Sequence, residues 1–391
     1  MTAVAGSRNL RPLRVTFVLD NFEVGGTELN AVRVAERIDR DRFAVDLVSL
    51  HADGPLRSRF ERVTGRIDTI DLGGLISGAA LQAGWRLRGE LRERGVDVVH
   101  AHDRYANVFA VPWARAAGVP GVIASKRWQA IERRHAILNR IAFRLADRVL
   151  ANSALVGRSL TDVDGVDPRK VAIVPNFVDD TLFEPVSETM RADLRRSLGV
   201  ELDALVIGAV ANLRPVKDLA TLVRATAQVA PAWPSLRLVL VGGGAERQPL
   251  AALAASLGID GIVHFAGSRD DGARCHAAFD ITVLCSVAEG FPNAVVEAMA
   301  AGRPVVATRV GGVPDAVDQD VTGLMVPPGD PAALATALRT LLSDPARRAA
   351  FGAVARTRAI ARFSAPAAIG AVQSLYELVA GRTRAADTCA A

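Results

Sequence analysis

Glu289-Gly-Phe-Pro-Asn-Ala-Val-Val-Glu297, followed by Ala-Met-Ala-Ala-Gly302-Arg-Pro-Val-Val-Ala-Thr308, is the stretch whose reading decides the fold. Just before it, Asp280-Ile-Thr-Val-Leu-Cys285 is apolar, carries β-branched residues and does not alternate. That pattern predicts a strand buried on both faces of a parallel sheet. Ser286 to Phe291 then reads as a loop, and Pro292-Asn293 as a helix start with Asn293 at the N-cap. The helix is expected to run to Ala301 and stop at Gly302, with Pro304 opening the next strand. Strand, loop, helix, strand is the repeat of an open parallel sheet, whose ligands bind at the carboxyl ends of the strands. The spacing puts Glu289 in such a loop and Glu297 in the second helical turn. Bare amides at a helix start favour anions or sugar oxygens, and a carboxylate one turn inside can accept two hydroxyls, as a ribose diol offers. A solvated pair of glutamates around an ordinary β–α turn fits the same spacing, and the residues alone leave both readings open.

The same rhythm recurs outward in both directions. Leu205–Val210 and Leu236–Val241 predict strands, the first followed by Ala211-Asn-Leu-Arg-Pro-Val-Lys217 and the second by Gly242-Gly-Gly. Ile262 to Arg269 adds a strand and turn, Asp315 after Gly311-Gly312 reads as a helix cap, and Val321 to Asp330 ends this sheet. In the other half, strands are expected at Leu13–Leu19, Phe43–Leu50, Ile67–Asp71, Val96–Asp103, Gly121–Ser125, Arg148–Ser153 and Lys170–Val174. Gly25-Gly26-Thr27-Glu28 opens a helix after the first of these. A glycine pair there lets backbone approach a phosphate or sugar, or simply makes a tight turn. His100 and His102 alternate along one strand and so share a face. Each alone reads as a hydrogen-bonded structural residue, and no third ligand stands at metal-site spacing. Lys217, beside a helix start, is either a surface lysine or a cation for a departing diphosphate.

A chain of 391 residues, half of them hydrophobic, is expected to form two domains. Its apolar runs are strand-length, and the first residues are too sparsely apolar for a secretory signal. Cys275, Cys285 and Cys389 have no metal-ligand spacing and read as reduced thiols of a cytoplasmic protein. The net charge of +5 implies attraction to anions: nucleotide, nucleic acid or acidic lipid. No nucleic-acid recognition module accompanies it, and the first turn lacks Gly-x-Gly-x-x-Gly, which argues against an NAD-dependent oxidoreductase. Lys126 to Arg148 predicts one basic amphipathic helix, with Lys126, Arg127, Arg133, Arg134, Arg140, Arg144 and Arg148 among Trp128, Ile131, Ile137, Leu138, Ile141, Phe143 and Leu145. It suits a core-packed helix with a solvated basic face, or contact with anionic lipid headgroups with Trp128 at the interface.

Residues 289–308 as a block, E-G-F-P-N-A-V-V-E-A-M-A-A-G-R-P-V-V-A-T, resemble the Glu-x7-Glu signature of the family-four retaining glycosyltransferases of the GT-B fold. The likeness covers nearly the whole chain, strongest from Val206 to Gly329. It implies an α/β protein of two Rossmann-like parallel-sheet domains facing a central cleft, with a C-terminal helix returning to the first. The expected boundaries are an acceptor domain at 1–183, a linker at 184–203, a nucleotide-sugar donor domain at 204–362, the returning helix at 363–380 and a flexible tail at 381–391.

The implied activity is retaining, metal-independent transfer of a sugar from a nucleotide-diphosphate sugar to a hydroxyl on a carbohydrate or lipid-linked acceptor. Its setting would be cell-surface polysaccharide or glycolipid synthesis, with the protein cytoplasmic or peripheral at an anionic membrane surface, and with no cofactor. By the resemblance, Glu289, His102 and Lys217 are catalytic, with His102 at the position that touches the donor sugar. Gly25, Gly26, Arg214, Lys217, Gly290, Phe291, Pro292, Asn293 and Glu297 bind donor, Glu297 through the ribose hydroxyls. The family pattern separates an arginine and a lysine by four residues; this chain keeps Lys217 but has Asn212 in the arginine's place, leaving Arg214 as the candidate second cation. Pro175-Asn-Phe-Val-Asp179 resembles the family's turn between domains, with Phe177 where glycine is usual. A GT-B epimerase or hydrolase, or a non-catalytic nucleotide-sugar-binding subunit, would share these features.

Overall fold

The computed structural model describes residues 11–72, 74–75, 77–127 and 133–381. The chain divides into two compact units. The first takes the chain up to Ala151, Gly157–Val174 and the chain from Ile369; the second takes Asn152–Val156 and Pro175–Ala368.

In the first unit seven strands form one sheet: β1 (Leu13–Leu19), β2 (Phe43–Ser49), β3 (Ile67–Thr69), β4 (Val98–His102), β5 (Gly121–Lys126), β6 (Arg148–Ala151) and β7 (Val171–Ile173). Their order is β3-β2-β1-β4-β5-β6-β7, and every pair is parallel. Phe17, Val18 and Leu19 are successive and all fully buried, as expected of a strand covered on both faces. The strand order reverses between β1 and β4. Leu19 pairs with His102, so these two strands end level and bring Asp20 and Asp103 side by side.

Helix Ala365–Val379 supplies part of this unit's core. Tyr376 is fully buried, with its ring 6.0 Å from that of Phe43 and its hydroxyl 2.8 Å from His100 Nδ1. Gln373 accepts the Asp39 amide at 2.8 Å, and Arg42 pairs with Glu377 at 2.6 Å. The expected tail lies outside the described residues from position 382 on, Cys389 included.

The second unit holds six parallel strands: β8 (Leu205–Val210), β9 (Leu236–Val241), β10 (Val263–Gly267), β11 (Ile281–Leu284), β12 (Val305–Thr308) and β13 (Gly323–Val326). Their order, β10-β9-β8-β11-β12-β13, reverses between β8 and β11. One apolar layer gathers Ile207, Leu222, Leu238, Val306 and Leu338; another, beneath helix Asn293–Ala300, gathers Val295, Val296, Met299, Val313 and Phe363. The turn Pro175–Asp179 belongs here: Phe177 and Val178 are buried, and the Val178 amide donates to Phe363 O at 3.2 Å.

The basic run expected as a single helix is not one. Lys126 is the last residue of β5, buried, with Nζ 2.6 Å from Asp164 and 2.9 Å from Ser159. Arg127 is buried as well, and Arg148 opens β6. The helix spans Arg133–Leu145, while Trp128 and Ile131 lie outside the described residues. A strand buried on both faces shows no alternation, so nothing in the apolar pattern marked where β5 ended.

Candidate active site

In doubly wound sheets the loops at the strand-order reversal form the ligand crevice, and in each unit the predicted site residues fall there. In the second unit these are the loops after β8 and β11. The β8 loop passes through Asn212 and Arg214, both exposed, into a 3-10 turn at Pro215–Lys217. Lys217 reaches across to the β11 loop, where its Nζ lies 2.5 Å from Glu289 Oε1. Ser286 donates to the same oxygen at 2.6 Å, and the Ser286 carbonyl is held in turn by the Thr308 hydroxyl at 2.6 Å. A main-chain bond joins the two loops, Val287 N to Val216 O at 2.9 Å. The Glu289 side chain is only 6% exposed and the Lys217 side chain 23%, so the pair sits at a mouth, carboxylate inward and cation outward. Arg214 makes no side-chain hydrogen bond among the described residues and faces solvent.

Gly311 fixes this loop from behind. Its φ is +54°, and a Cβ there would stand 1.9 Å from the Glu289 carbonyl oxygen. Only glycine serves, both for the left-handed backbone and for the close approach. Gly312 N then donates to Gly290 O at 2.9 Å. Asp315, read from sequence as a helix cap, instead lies inside the short helix Val313–Ala316, whose N-cap is Gly312; its Oδ2 accepts the amide of Ala154 at 2.7 Å.

Helix Asn293–Ala300 departs from its expected start. Pro292 holds the N-cap position and makes no side-chain bond to the helix, while Asn293 is the first helical residue. The Asn293 oxygen is taken by Asn176 Nδ2 at 3.0 Å, which removes it from capping. The first amides of this helix are therefore left without a side-chain cap. Phe291 is buried edge-on to Phe363 at 5.6 Å, which anchors the loop between Glu289 and the helix. Glu297 lies one turn in, 9% exposed, with His276 behind it.

The first unit's reversal has another character. Asp20 accepts the amide of Ala106 at 2.6 Å and of Tyr105 at 3.3 Å, capping helix Arg104–Ala117. Asp103, at φ +76°, accepts the Thr27 hydroxyl at 3.3 Å. Gly25 and Gly26 begin helix Gly26–Arg37, but neither shows a positive φ. A Cβ on Gly25 would lie 2.4 Å from Glu28 Oε2, so here the missing side chain makes room for a carboxylate. Burial, reinforced by the neighbouring Asp103 carboxylate, pushes Asp20 up to about 7, and burial first of all does the same to Glu28. Asp103 is raised for the same reason, against the pull of buried Arg127. Arg127 is braced by Asn30, whose amide oxygen, once oriented to accept, is 3.1 Å from both terminal nitrogens.

His100 and His102 divide their tasks. His100 is structural: Ser125 and Tyr376 hold its two nitrogens at 2.8 Å each. His102 stacks 3.9 Å from His100 and 4.8 Å from Phe17, is 1% exposed, and neither ring nitrogen has a hydrogen-bond partner. Burial holds its pKa well below the usual range, with His100 and Arg127 adding to the effect, so the ring is neutral.

The structure thus gathers Lys217, Glu289, Gly290, Phe291, Pro292, Asn293 and Glu297 around adjoining loops of the second unit, with Arg214 at their edge. Gly25, Gly26 and His102 are gathered in the first. Sequence reading passed over Ser286, Asn176, His276, Asp20 and Asp103. Ser286 stands only three residues before the Glu289 it bonds, a local pairing, whereas Asn176 acts across 117 residues and left no local signal. The first unit also carries a cavity of about 490 Å³ at the ends of β1, β2 and β3, lined by Asn21, Glu23, His51, Ala52, Asp53, Thr69 and Asp71.

Two parallel sheets of this order, each reversing beside its first strand, have the architecture of the GT-B fold, and the comparisons with known proteins agree. Residues 24–182 match the family described as "Glycosyltransferase Family 4" and residues 204–344 that described as "Glycosyl transferases group 1". A D-inositol 3-phosphate glycosyltransferase of Corynebacterium jeikeium is 30% identical over 91% of this chain and 92% of its own length. That of Kineococcus radiotolerans is 41% identical over 55% of this chain and 53% of its own. The chain spans about half the length of several of these curated relatives. Anabaena HepE, solved in complex with UDP, superposes with a TM-score of 0.81 at 25% identity, covering 94% of this chain and all of that one. The chain belongs to the family-four, group 1 glycosyltransferases.

Proposed function

We propose that this protein is a retaining glycosyltransferase that moves a sugar from a uridine-diphosphate sugar to a carbohydrate hydroxyl without a metal ion. The observation that carries the reading is Lys217 held at 2.5 Å on Glu289, eight residues before Glu297, at the reversal of the second sheet. Glu297 accepts the two ribose hydroxyls. The Glu289 carboxylate holds sugar hydroxyls beside a helix start that no side chain caps. Lys217 and Arg214 supply the positive charge on which the diphosphate departs, which is where electrostatic stabilisation has its largest effect. The bond from the anomeric carbon to phosphate oxygen breaks, the acceptor oxygen bonds to that carbon on the same face, and the acceptor's proton passes to the leaving phosphate. In the first unit His102 is the group we assign to a sugar hydroxyl, because its ring is neutral and both nitrogens are unengaged.

UDP bound to HepE supports the choice of nucleotide. A thermal-shift panel of nucleotide diphosphates tests it, since a ligand of the folded form alone raises the midpoint. UDP should give the largest rise, and no rise with any nucleotide would defeat the reading. Sugar release from the donor without acceptor would instead favour a hydrolase. We assign the acceptor to the first unit's cavity, where the carboxylates of Glu23, Asp53 and Asp71 would favour a neutral carbohydrate over a phosphorylated one.

A second observation concerns location. Ile137, Ile141 and Leu145 are 66%, 45% and 39% exposed at successive helical turns, with Arg140 and Arg144 on the same helix. This favours reversible attachment to an anionic membrane face, each arginine near the surface contributing ~1 kcal/mol. No helix among the described residues is long and apolar enough to cross a membrane. Equal, negligible sedimentation with anionic and neutral vesicles at low salt would remove this reading.

A further inference from the structure

Glu297 is backed by a residue with an unused hydrogen-bonding atom. His276 lies in the 3-10 turn Gly272–Ala278, which packs on helix Asn293–Ala300, and it is fully buried. Its Nδ1 is 3.2 Å from Thr282 Oγ1, while its Nε2 has no hydrogen-bond partner and stands 3.9 Å from Glu297 Oε2. Phe279, edge-on at 5.8 Å and 80°, fixes the ring plane. Burial pushes the imidazole down to about 3, so it is neutral and carries one N–H.

Only one neutral tautomer suits this setting. With the proton on Nδ1, the Nε2 lone pair would face a carboxylate oxygen, two acceptors together. With the proton on Nε2, Nδ1 accepts the Thr282 hydroxyl and the Nε2–H is the donor nearest to Glu297 Oε2, at 3.9 Å. A shift of about 0.9 Å brings that approach to hydrogen-bond length.

We propose that His276 is a positioning residue for the donor: its Nε2–H takes Glu297 Oε2 and turns the rest of the carboxylate toward the ribose diol. The inference rests on the reading of Glu297 as the ribose acceptor. A buried histidine kept for packing alone would affect stability and leave nucleotide preference untouched, and that difference can be measured.

UDP and 2′,3′-dideoxy-UDP are titrated by calorimetry into the full chain and its variants. His276→Phe keeps the ring and removes both nitrogens. UDP affinity should fall about 10-fold, the effect of one hydrogen bond to a charged group, while affinity for the dideoxy nucleotide holds. His276→Gln, which restores an N–H, should recover most of the preference. In turnover the donor KM should rise with kcat little changed. An unchanged preference for the hydroxylated nucleotide in His276→Phe overturns the proposal. Should that variant not fold, Thr282→Val removes the hydroxyl that fixes the tautomer; a narrowed preference supports the proposal and an unchanged one overturns it. Glu297→Ala separates the two levels. If it abolishes the preference and the His276 variants do not, positioning by His276 fails alone; if it leaves the preference intact, the ribose reading fails and the proposal with it.

Discussion

The two sheets reverse strand order at the same place, next to the first strand of each, yet the residues gathered there differ in kind. At the first reversal the protein fills its own helix starts with acids: Asp20 caps helix Arg104–Ala117, and Glu28 folds back over the start of helix Gly26–Arg37. At the second, helix Asn293–Ala300 begins with no side-chain cap, and the nearby charges include Lys217 and Arg214. Topology selects where a ligand can lie. The loop residues decide what it can be, and an anion is suited to the second reversal far better than to the first.

Lys217→Ala tests the contrast most severely. If the second reversal stabilises a departing diphosphate, turnover should fall about 10²- to 10³-fold, the usual loss when one such group is removed. Steady-state kinetics showing near-normal kcat would mean that the cation serves only to hold Glu289.

Glu297→Ala should weaken UDP binding while leaving folding intact, since up to two hydrogen bonds to a charged group are lost at roughly 1.5–3 kcal/mol each. Unaltered affinity by calorimetry would remove the ribose site from the second unit.

The acids of the first reversal make a prediction about pH. Folding raises Asp20 and Glu28 to about 7, above their values in the unfolded chain. The folded form therefore binds more protons, so the stability linked to them is fully present below the unfolded values and is lost as pH rises through about 7. Asp20→Asn should flatten that decline, with a gain on the order of 2 kcal/mol at pH 8. Urea midpoints measured from pH 5 to 8 check it; parallel curves for the two chains would show that Asp20 is not strained.

The smallest effect is expected of Arg214→Ala. It is exposed, so its loss should reduce turnover only several-fold, and mostly at low salt, where screening is weak. Identical salt dependence in both chains would leave Asn212 without a substitute.

Much of this was legible in the chain. Strands such as Leu13–Leu19, Leu205–Val210 and Leu236–Val241 have the bounds their apolar runs predict, because burial on both faces writes itself into consecutive residues. Glu289, Lys217 and Glu297 could be singled out because the loop-and-helix pattern around them is local. What depends on distant partners could not be read. Asn293 was expected to cap its own helix, but Asn176 claims it from 117 residues away. Lys126 looked like the start of a basic helix, and Asp164 draws it into the sheet. The acidity of the first reversal was equally hidden, since Asp20 and Asp103 become neighbours only through the register of β1 and β4.

The last helix gives the protein an unusual order of manufacture. A domain made early in synthesis commonly folds before the next one emerges. Here all seven strands of the first sheet have been translated by Ile173, but the ring that fills the space beside Phe17, Phe43 and His100 belongs to Tyr376. The first sheet must wait, with a hole in its core and the His100 imidazole short of one partner, until the whole second unit has been made. The unit that is begun first is the one completed last, and a nascent chain stalled before Tyr376 would carry a finished second unit and an unfinished first one.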